Sequence, residues 1–501
     1  MKYFRSEREA LLLLLGVSAL LLLCGLASRE VWGPEGRWAD ISLRMLQTHD
    51  YLDPYLLSEP YYDKPLLSYW LIVLPAKLFG LNAWTLRASV LLAGWGSVWL
   101  VYWLGERLLR KGTGLLAGWL LATTFYFLFW ARVATADVLT VFGMLAALAW
   151  YWKAPEDSRF SRYLGFCLLL SLTSLCKGLI GFILPPLALL PHLLAEGRWR
   201  RHLNLRLLAA LLVAAAVYAI PFLLSSRYGQ PTYGESGLGL VFRENVVRFF
   251  QPFDHMGPIY TYVLYLPIYT LPWAPLWLIG LWMAVRHWRQ LSANERWLVW
   301  ALGLLFLFFT ASGSRRSYYV LPLVPFAQLL GAWWVVRCRA DWAERRFWPR
   351  LLGGMAVLWL LVLGVAYPWS NQGGGIIAFA HAVRDQAERQ APWEDWRVVL
   401  LGNIDRKLPM YLGGDFARMP AFHYIAESAD YPREGDSAAF FTWLDKNTGE
   451  HWDPQRTVVI GDFRRHEQLP LAYLGTDHQT LRATSNNGDR LFHQHGERSD
   501  P

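Results

Sequence analysis

Long apolar runs separated by short charged clusters fill residues 1–369. They fall near 10–27, 87–104, 113–131, 138–152, 163–177, 179–195, 207–224, 260–285, 297–311, 318–336 and 351–368. In a bilayer core every backbone N–H and C=O must be satisfied within the segment, so such runs predict helices. Several are shorter than the roughly 20 residues that a perpendicular span needs, so their ends depend on tilt and on neighbouring polar residues. A further stretch within 65–85, PLLSYWLIVLPAKLFG, is broken by Pro75 and predicts a short helical hairpin. The pattern predicts a polytopic α-helical membrane protein with about 11–13 transmembrane helices.

After residue 369 the pattern changes. GIIAFAHAVRDQAERQ and DSAAFFTWLDKN have helical spacing, while WRVVLLGN and QRTVVIGD are β-rich runs that each end in glycine and a polar residue. A Gly-Gly-Asp turn at 413–415 lies between them. Alternating elements of this kind predict a small C-terminal α/β domain over 370–501, following a membrane domain over 1–369 that includes an outer loop at 28–65. VVIGD has neither a G-x-G-x-x-G loop nor a P-loop beside it, so no nucleotide site is implied.

Composition supports the division. The 501 residues are 54% hydrophobic and only 17% charged, against about 25% charged in a soluble protein. The formal charge of +9 raises the question of nucleic acid, but the basic residues form no single patch. They sit between apolar runs, as the positive-inside bias would place them. With the amino terminus cytoplasmic, the clusters Arg107/Arg110/Lys111, Arg159/Arg162, Arg198/Arg200/Arg201/Arg206, Arg286/Arg289/Arg296 and Arg337/Arg339/Arg345/Arg346/Arg350 all fall inside. Membrane lipids are therefore the expected partners of this charge, and nucleic acid is not. None of the four cysteines lies in the C-terminal domain, so no disulfide framework is implied. The amino terminus, with Lys2, Arg5 and Arg8 before Ala10–Ala27, resembles a signal peptide. Its long core and the spans that follow predict an uncleaved first helix, and Leu23 before Cys24 argues against a lipoprotein site.

The same threading sends 28–65, the Arg132–Asp137 turn, Lys177–Gly178, 225–258, Ser312–Ser317 and the C-terminal domain to the outer side. Carboxylates and cations are costly near a bilayer, so those on this face are functional candidates. In WGPEGRWAD, Glu35 follows Pro34; it is either a general base or substrate holder, or a group that pairs with Arg37 or caps a helix. Lys64, before Pro65 in YYDKP, suits the phosphate of an anionic lipid, or snorkels to headgroups. Asp137, after the turn that opens with Arg132, is either a reactive carboxylate or a favourable helix-start charge. Lys177 interrupts the apolar sequence of CKGLIG. Arg315 and Arg316 in SGSRRSYYVLP lie outside, against the positive-inside trend, and make a candidate phosphate clamp. FRENVVRFFQPFDHMGP carries Glu244, Arg248, Asp254 and His255. His255 either ligates a metal with Asp63 or is a hydrogen-bonding loop residue. Arg37, Tyr61, Tyr62, Arg248 and Tyr318 in these outer segments are candidate substrate contacts.

Taken in order, RWADIS, YYDKP, the A-D at 136–137, K-G at 177–178, the histidine of the third large loop and YYVLP resemble the GT-C membrane glycosyltransferases. The resemblance is to the dolichyl-phosphate-mannose-protein mannosyltransferases and their bacterial branch, the lipid A aminoarabinose transferases. It implies a polyprenyl-phosphate-linked sugar as donor and a lipid, lipid A-like, or protein acceptor. It also implies transfer at the periplasmic face of a bacterial inner membrane, with the C-terminal domain periplasmic. Glu35 then matches the first-loop acid, Asp137 the second-loop aspartate and Lys64 the phosphate-binding lysine. Lys177, Arg315, Arg316 and Arg132 join Lys64 as donor-phosphate contacts, so no cofactor is required for catalysis. A structural zinc would fall on Asp63 and His255, with His423, His451 or His466 as a third ligand. One departure stands out: the family usually has Asp-Glu in the first loop, and Pro34 occupies the Asp slot. The base is thus Glu35, Asp40 or Asp137. A lipid transporter or flippase is the rival class. It would show inverted repeats and midplane charges, whereas this chain shows no repeat and places its charges at the outer face.

Overall fold

The computed structural model describes residues 6–57, 59–228, 239, 242–251, 256–370, 376–401, 404, 406–413, 419–426, 429, 437–461 and the strands 472–474, 479–483 and 492–494. The apolar runs are mostly helical. Among the described residues, four helices are long and apolar enough to cross a membrane: Ala83–Leu108, Leu205–Arg227, Ser317–Cys338 and Phe347–Trp369. Thr261–Tyr269 and Ala274–Arg286, bent by 119° at their junction, count as a fifth if taken together. The runs predict more spans than this because many of the other helices, such as Thr113–Thr123 with 11 residues and Ile180–Ala195 with 16, are short. At about 1.5 Å of rise per residue, 16 residues reach about 24 Å, less than a hydrocarbon core of about 30 Å.

Two sequence expectations change here. Residues 65–85 form no hairpin. Pro75 is accommodated inside a single helix, Leu67–Phe79. The next helix starts at Ala83, where Asn82 Oδ1 accepts the N–H groups of Trp84 at 2.9 Å and Thr85 at 3.1 Å. The 113–131 run is also not one helix. It breaks at Thr124, whose extended backbone (ψ 119°) separates Thr113–Thr123 from Phe125–Trp130. A break surrounded by apolar side chains survives only if its polar groups find partners. Trp273 Nε1 donates to Thr123 Oγ1 at 3.0 Å, Trp359 Nε1 to the Thr123 carbonyl at 2.9 Å and Gln328 Nε2 to Thr124 Oγ1 at 3.0 Å.

Contacts divide the chain into two units. The first comprises Met1–Leu26, Tyr62–Ser68 and Arg87–Ala366; the second comprises Ala27–Tyr61, Tyr69–Leu86 and Tyr367–Pro501. Most of the opening loop therefore folds with C-terminal residues, a long-range pairing that hydropathy does not encode.

In the second unit, the helix Gly33–Thr48 is followed by a small hairpin, β1 (Tyr55–Leu56) with β2 (Glu59–Pro60). A six-stranded sheet has the order β4-β3-β5-β6-β7-β8, from β3 (Arg397–Leu401), β4 (Ala421–Ile425), β5 (Thr457–Gly461), β6 (Ala472–Leu474), β7 (Gln479–Ala483) and β8 (Phe492–Gln494). β3 runs parallel to both β4 and β5. It is apolar at every position after Arg397 because both its faces are covered. Val398 and Leu400 pack with Trp393, Trp396 and the helix Ile376–Glu388, while Val399 and Leu401 pack with Phe441, Leu444 and Trp452. Each of these four aliphatic side chains contributes roughly 1.5–3 kcal/mol by burial.

Candidate active site

A cavity of about 300 Å³ lies within the first unit. Its charged lining is Asp63, Lys64, Lys177, Glu244 and Arg248, set among apolar side chains such as Ile180, Ile183, Phe249 and Phe308.

Lys177 is the last residue of the helix Phe160–Lys177. Gly178 ends that helix with φ 110° and ψ −171°, a combination open to glycine and strained for other residues. The Lys177 ammonium lies 2.5 Å from Asp137 Oδ1 and 5.1 Å from the centre of the Tyr319 ring. Asp137 sits in the first turn of Ala136–Lys153, where a carboxylate is favoured by the helix dipole, and accepts Thr135 Oγ1 at 2.9 Å on its other oxygen. It is 6% exposed. The helix-start role read from sequence and a partnership with a cavity cation therefore coexist in one side chain.

Another part of the lining comes from Arg243–Phe250. Residues Arg243–Val247 form a π-turn, and Glu244 Oε2 pairs with Arg248 Nη1 at 2.7 Å. Asn245 Oδ1 accepts the Leu179 N–H at 2.9 Å, and the Phe249 carbonyl accepts the Gly313 N–H at 2.9 Å.

Three other predicted cations point elsewhere. Arg315 donates to the Gly257 carbonyl at 2.6 Å and twice to the Thr310 carbonyl, at 3.2 and 3.0 Å. Thr310 stands in the last turn of Ala293–Ala311, where carbonyls lack intrahelical partners, so the guanidinium closes a helix end. Arg316 donates to Tyr318 Oη at 2.6 Å, and the Tyr318 ring packs 4.8 Å from that of Trp130. Arg132, 2% exposed, donates to the Leu21 carbonyl at 2.7 Å. None of the three lines the cavity, whose cationic lining is Lys64, Lys177 and Arg248. Lys64 also donates to the Asp63 carbonyl at 3.1 Å. Tyr62, half-buried, precedes Asp63 in the first unit.

Glu35, Arg37, Asp40 and Tyr61 belong to the second unit. Pro34 opens the helix Gly33–Thr48, where its missing N–H costs nothing. Glu35 is fully buried. It accepts the Trp32 N–H at 2.8 Å and Arg29 Nη2 at 3.2 Å, so it caps its own helix and pairs with Arg29 rather than Arg37. Arg37 contacts Tyr61 Oη and lies 4.6 Å over the Trp38 ring. Asp40 is also fully buried. Its oxygens accept the Leu57 N–H at 2.7 Å and Tyr424 Oη at 3.0 Å, while Arg44, one turn on, donates to the Leu57 carbonyl at 2.8 Å. Leu57 has φ 55°, an uncommon value for a non-glycine residue, and these two side chains hold it there. Burial pushes the Asp40 carboxyl up to about 6 despite the lowering effect of these hydrogen bonds and of Arg44.

Asp63 lines the cavity, but His255 and His466 lie outside the described residues. His423 packs against Trp452, and His451 pairs with Asp445. Among the described residues no group of three or more His, Cys, Asp or Glu forms a metal-binding set.

Asn245 and Tyr319 are among the lining residues that sequence reasoning passes over. Neither is charged, and each stands next to a more conspicuous residue, Glu244 or Tyr318. The available signal was Gly178, a glycine in a lysine-marked turn that only a close approach or an unusual backbone explains.

Comparison with known proteins agrees with the motif order. The family described as dolichyl-phosphate-mannose-protein mannosyltransferase matches residues 63–224, which include Asp63, Lys64, Asp137 and Lys177. An undecaprenyl phosphate-alpha-4-amino-4-deoxy-L-arabinose arabinosyl transferase of Pseudomonas aeruginosa is 32% identical over 342 residues, 67% of this chain and 61% of that protein. One of the same description from Enterobacter sp. (strain 638) is 29% identical over 336 residues, 65% of this chain and 59% of that protein. The chain thus spans about three fifths of the length of the curated relatives it matches. Among solved structures, ArnT from Cupriavidus metallidurans bound to undecaprenyl phosphate superposes with a TM-score of 0.63 over 91% of this chain and 90% of that one. At 20% identity this is a likeness of fold. In its ordered motifs and its family match the chain is thus similar to the dolichyl-phosphate-mannose-protein mannosyltransferases and the aminoarabinose transferases, and it shares the fold of a GT-C membrane glycosyltransferase.

Proposed function

We propose that this protein transfers a sugar from a polyprenyl-phosphate-linked donor to a lipid, lipid A-like, or protein acceptor. The observation that carries this reading is the cavity that sets Lys64, Lys177 and Arg248 among isoleucine and phenylalanine side chains. Cations there suit a phosphate, and the apolar wall suits the first isoprene units. The relatives named for undecaprenyl phosphate-linked aminoarabinose support the same donor class.

In this reading an acceptor oxygen attacks the anomeric carbon as the bond from that carbon to the polyprenyl phosphate oxygen breaks, with inversion. Charge grows on the departing phosphate, and the three cations stabilise it. They supply the neutralisation that a metal would otherwise bring, so the reaction needs no metal cofactor. Where the acceptor is a hydroxyl, its proton passes to Asp137, the carboxylate paired with a cavity cation. Glu35 and Asp40 serve the fold of the second unit instead.

The positive-inside clusters support a bacterial inner-membrane protein of about 11–13 spans, with its amino terminus cytoplasmic and its C-terminal α/β segment periplasmic. The deciding experiment compares lipids and glycoproteins by mass spectrometry in cells with and without the chain. It is paired with purified protein in liposomes carrying a polyprenyl-phosphate sugar. Loss of one sugar from one acceptor, with donor consumed in liposomes, is expected. Donor that crosses the bilayer chemically unchanged would instead make the protein a flippase and sink the reading.

A further inference from the structure

We infer that Asn245 is a positioning residue for the donor phosphate: it latches the Arg243–Phe250 segment, which carries Arg248, onto the turn that presents Lys177. The inference rests on the donor reading proposed above.

The turn at Lys177–Leu179 leaves the Leu179 N–H at the start of the helix Ile180–Ala195, where N–H groups have no intrahelical acceptor. Asn245 Oδ1 fills that role at 2.9 Å. The fit is close. A Cβ on residue 178 would lie 2.4 Å from Asn245 Oδ1 and 2.8 Å from its Nδ2, distances that real Cβ contacts do not reach. Glycine at 178 is therefore required twice, by its φ of 110° and by the amide that rests against it.

Asn245 lies within the π-turn Arg243–Val247, three residues before Arg248. One side-chain hydrogen bond thus joins the segment that supplies Glu244 and Arg248 to the segment that supplies Lys177, and all three line the same cavity. A further tie of the segment, Phe249 carbonyl to Gly313 N–H, lies toward its other end. Without the amide, Arg248 and Lys177 keep their charges but lose a fixed spacing, which weakens binding of a phosphate more than it changes the chemical step.

The test compares the wild type with Asn245→Ala, Asn245→Asp and Gly178→Ala, all purified full-length. Undecaprenyl phosphate binding, steady-state transfer and amide hydrogen exchange are followed. Asn245→Ala is expected to weaken undecaprenyl phosphate binding and raise the donor KM about tenfold, with kcat within about threefold, as loss of one partly buried hydrogen bond implies. Exchange should rise together at 178–180 and 242–250. Asn245→Asp keeps an acceptor for Leu179 N–H and should restore that protection. Gly178→Ala, whose Cβ takes the place of the amide, should raise KM as Asn245→Ala does. Unchanged binding and KM in a folded Asn245→Ala overturns the inference, as does a loss confined to kcat. A wild-type protein that binds no undecaprenyl phosphate overturns the donor reading itself, so the two failures are distinguishable.

Discussion

The ammonium of Lys177 lies 2.5 Å from Asp137 Oδ1, joining the end of one helix to the start of another at the wall of a cavity. Asp137→Asn keeps the size of the side chain and removes its charge. It is expected to stay folded and lose transfer by about 10²-fold or more, as removal of a proton acceptor does. Lys177→Met should lose about as much, through the leaving group. Transfer measured in liposomes, with thermal unfolding as the control for folding, checks both. Retained turnover in Asp137→Asn would remove it from the chemistry.

Arg315 and Arg248 separate structure from binding. Arg315→Ala frees three hydrogen bonds to carbonyls and should lower stability by about 1–3 kcal/mol while the donor KM changes less than about threefold. Arg248→Ala should do the reverse, raising KM with a smaller loss of stability. Unfolding midpoints and donor titrations, read side by side, check the contrast.

Glu35 is fully buried between the Trp32 N–H and Arg29. Truncation to Ala removes a helix cap and the carboxylate that offsets a guanidinium only 5% exposed, for a loss of about 3 kcal/mol. Glu35→Gln keeps an acceptor for Trp32 and should lose less. Thermal unfolding of both variants in detergent measures this, and a folded Glu35→Gln without transfer would give the carboxylate a chemical role as well.

Asp40 makes stability depend on pH. Its carboxyl, ordinarily near 3.8, is raised to about 6, so the folded state holds the proton more tightly than the unfolded chain. The stabilisation from protonated Asp40 is fully present below pH 3.8 and is lost as pH rises through 6, by about 3 kcal/mol in all. Asp40→Asn, which can still accept from Leu57, should flatten that part of the profile and be the more stable protein at pH 7.5. Unfolding midpoints between pH 4 and 7.5 give the comparison; parallel profiles for the two proteins would refute the assignment.

The membrane helices and the strands β3 and β5 were legible in the sequence, because long apolar runs and doubly covered strands leave a hydropathy signature. Cavity residues were legible where a charge stood out against apolar sequence, as Lys64, Lys177 and Arg248 did, and so was Asp137, the partner of Lys177. Arg315 and Arg316 stood out equally and serve a helix end and a tyrosine, since charge alone does not say which carbonyl or hydroxyl a guanidinium will reach. Asn245 and Tyr319 gave no such signal.

What the sequence by itself determined is the helical class, the order of motifs and the family they mark, because backbone hydrogen bonding in a bilayer leaves few alternatives for an apolar run. Only the tertiary structure decided where a run breaks, as at Thr124, and that the opening loop folds with the C-terminal sheet. It alone also decided that Gly178 makes room for Asn245. Those outcomes depend on partners distant in sequence, such as Trp273 for Thr123 or Tyr424 for Asp40, and a polar group's role is set by the partner it finds on folding.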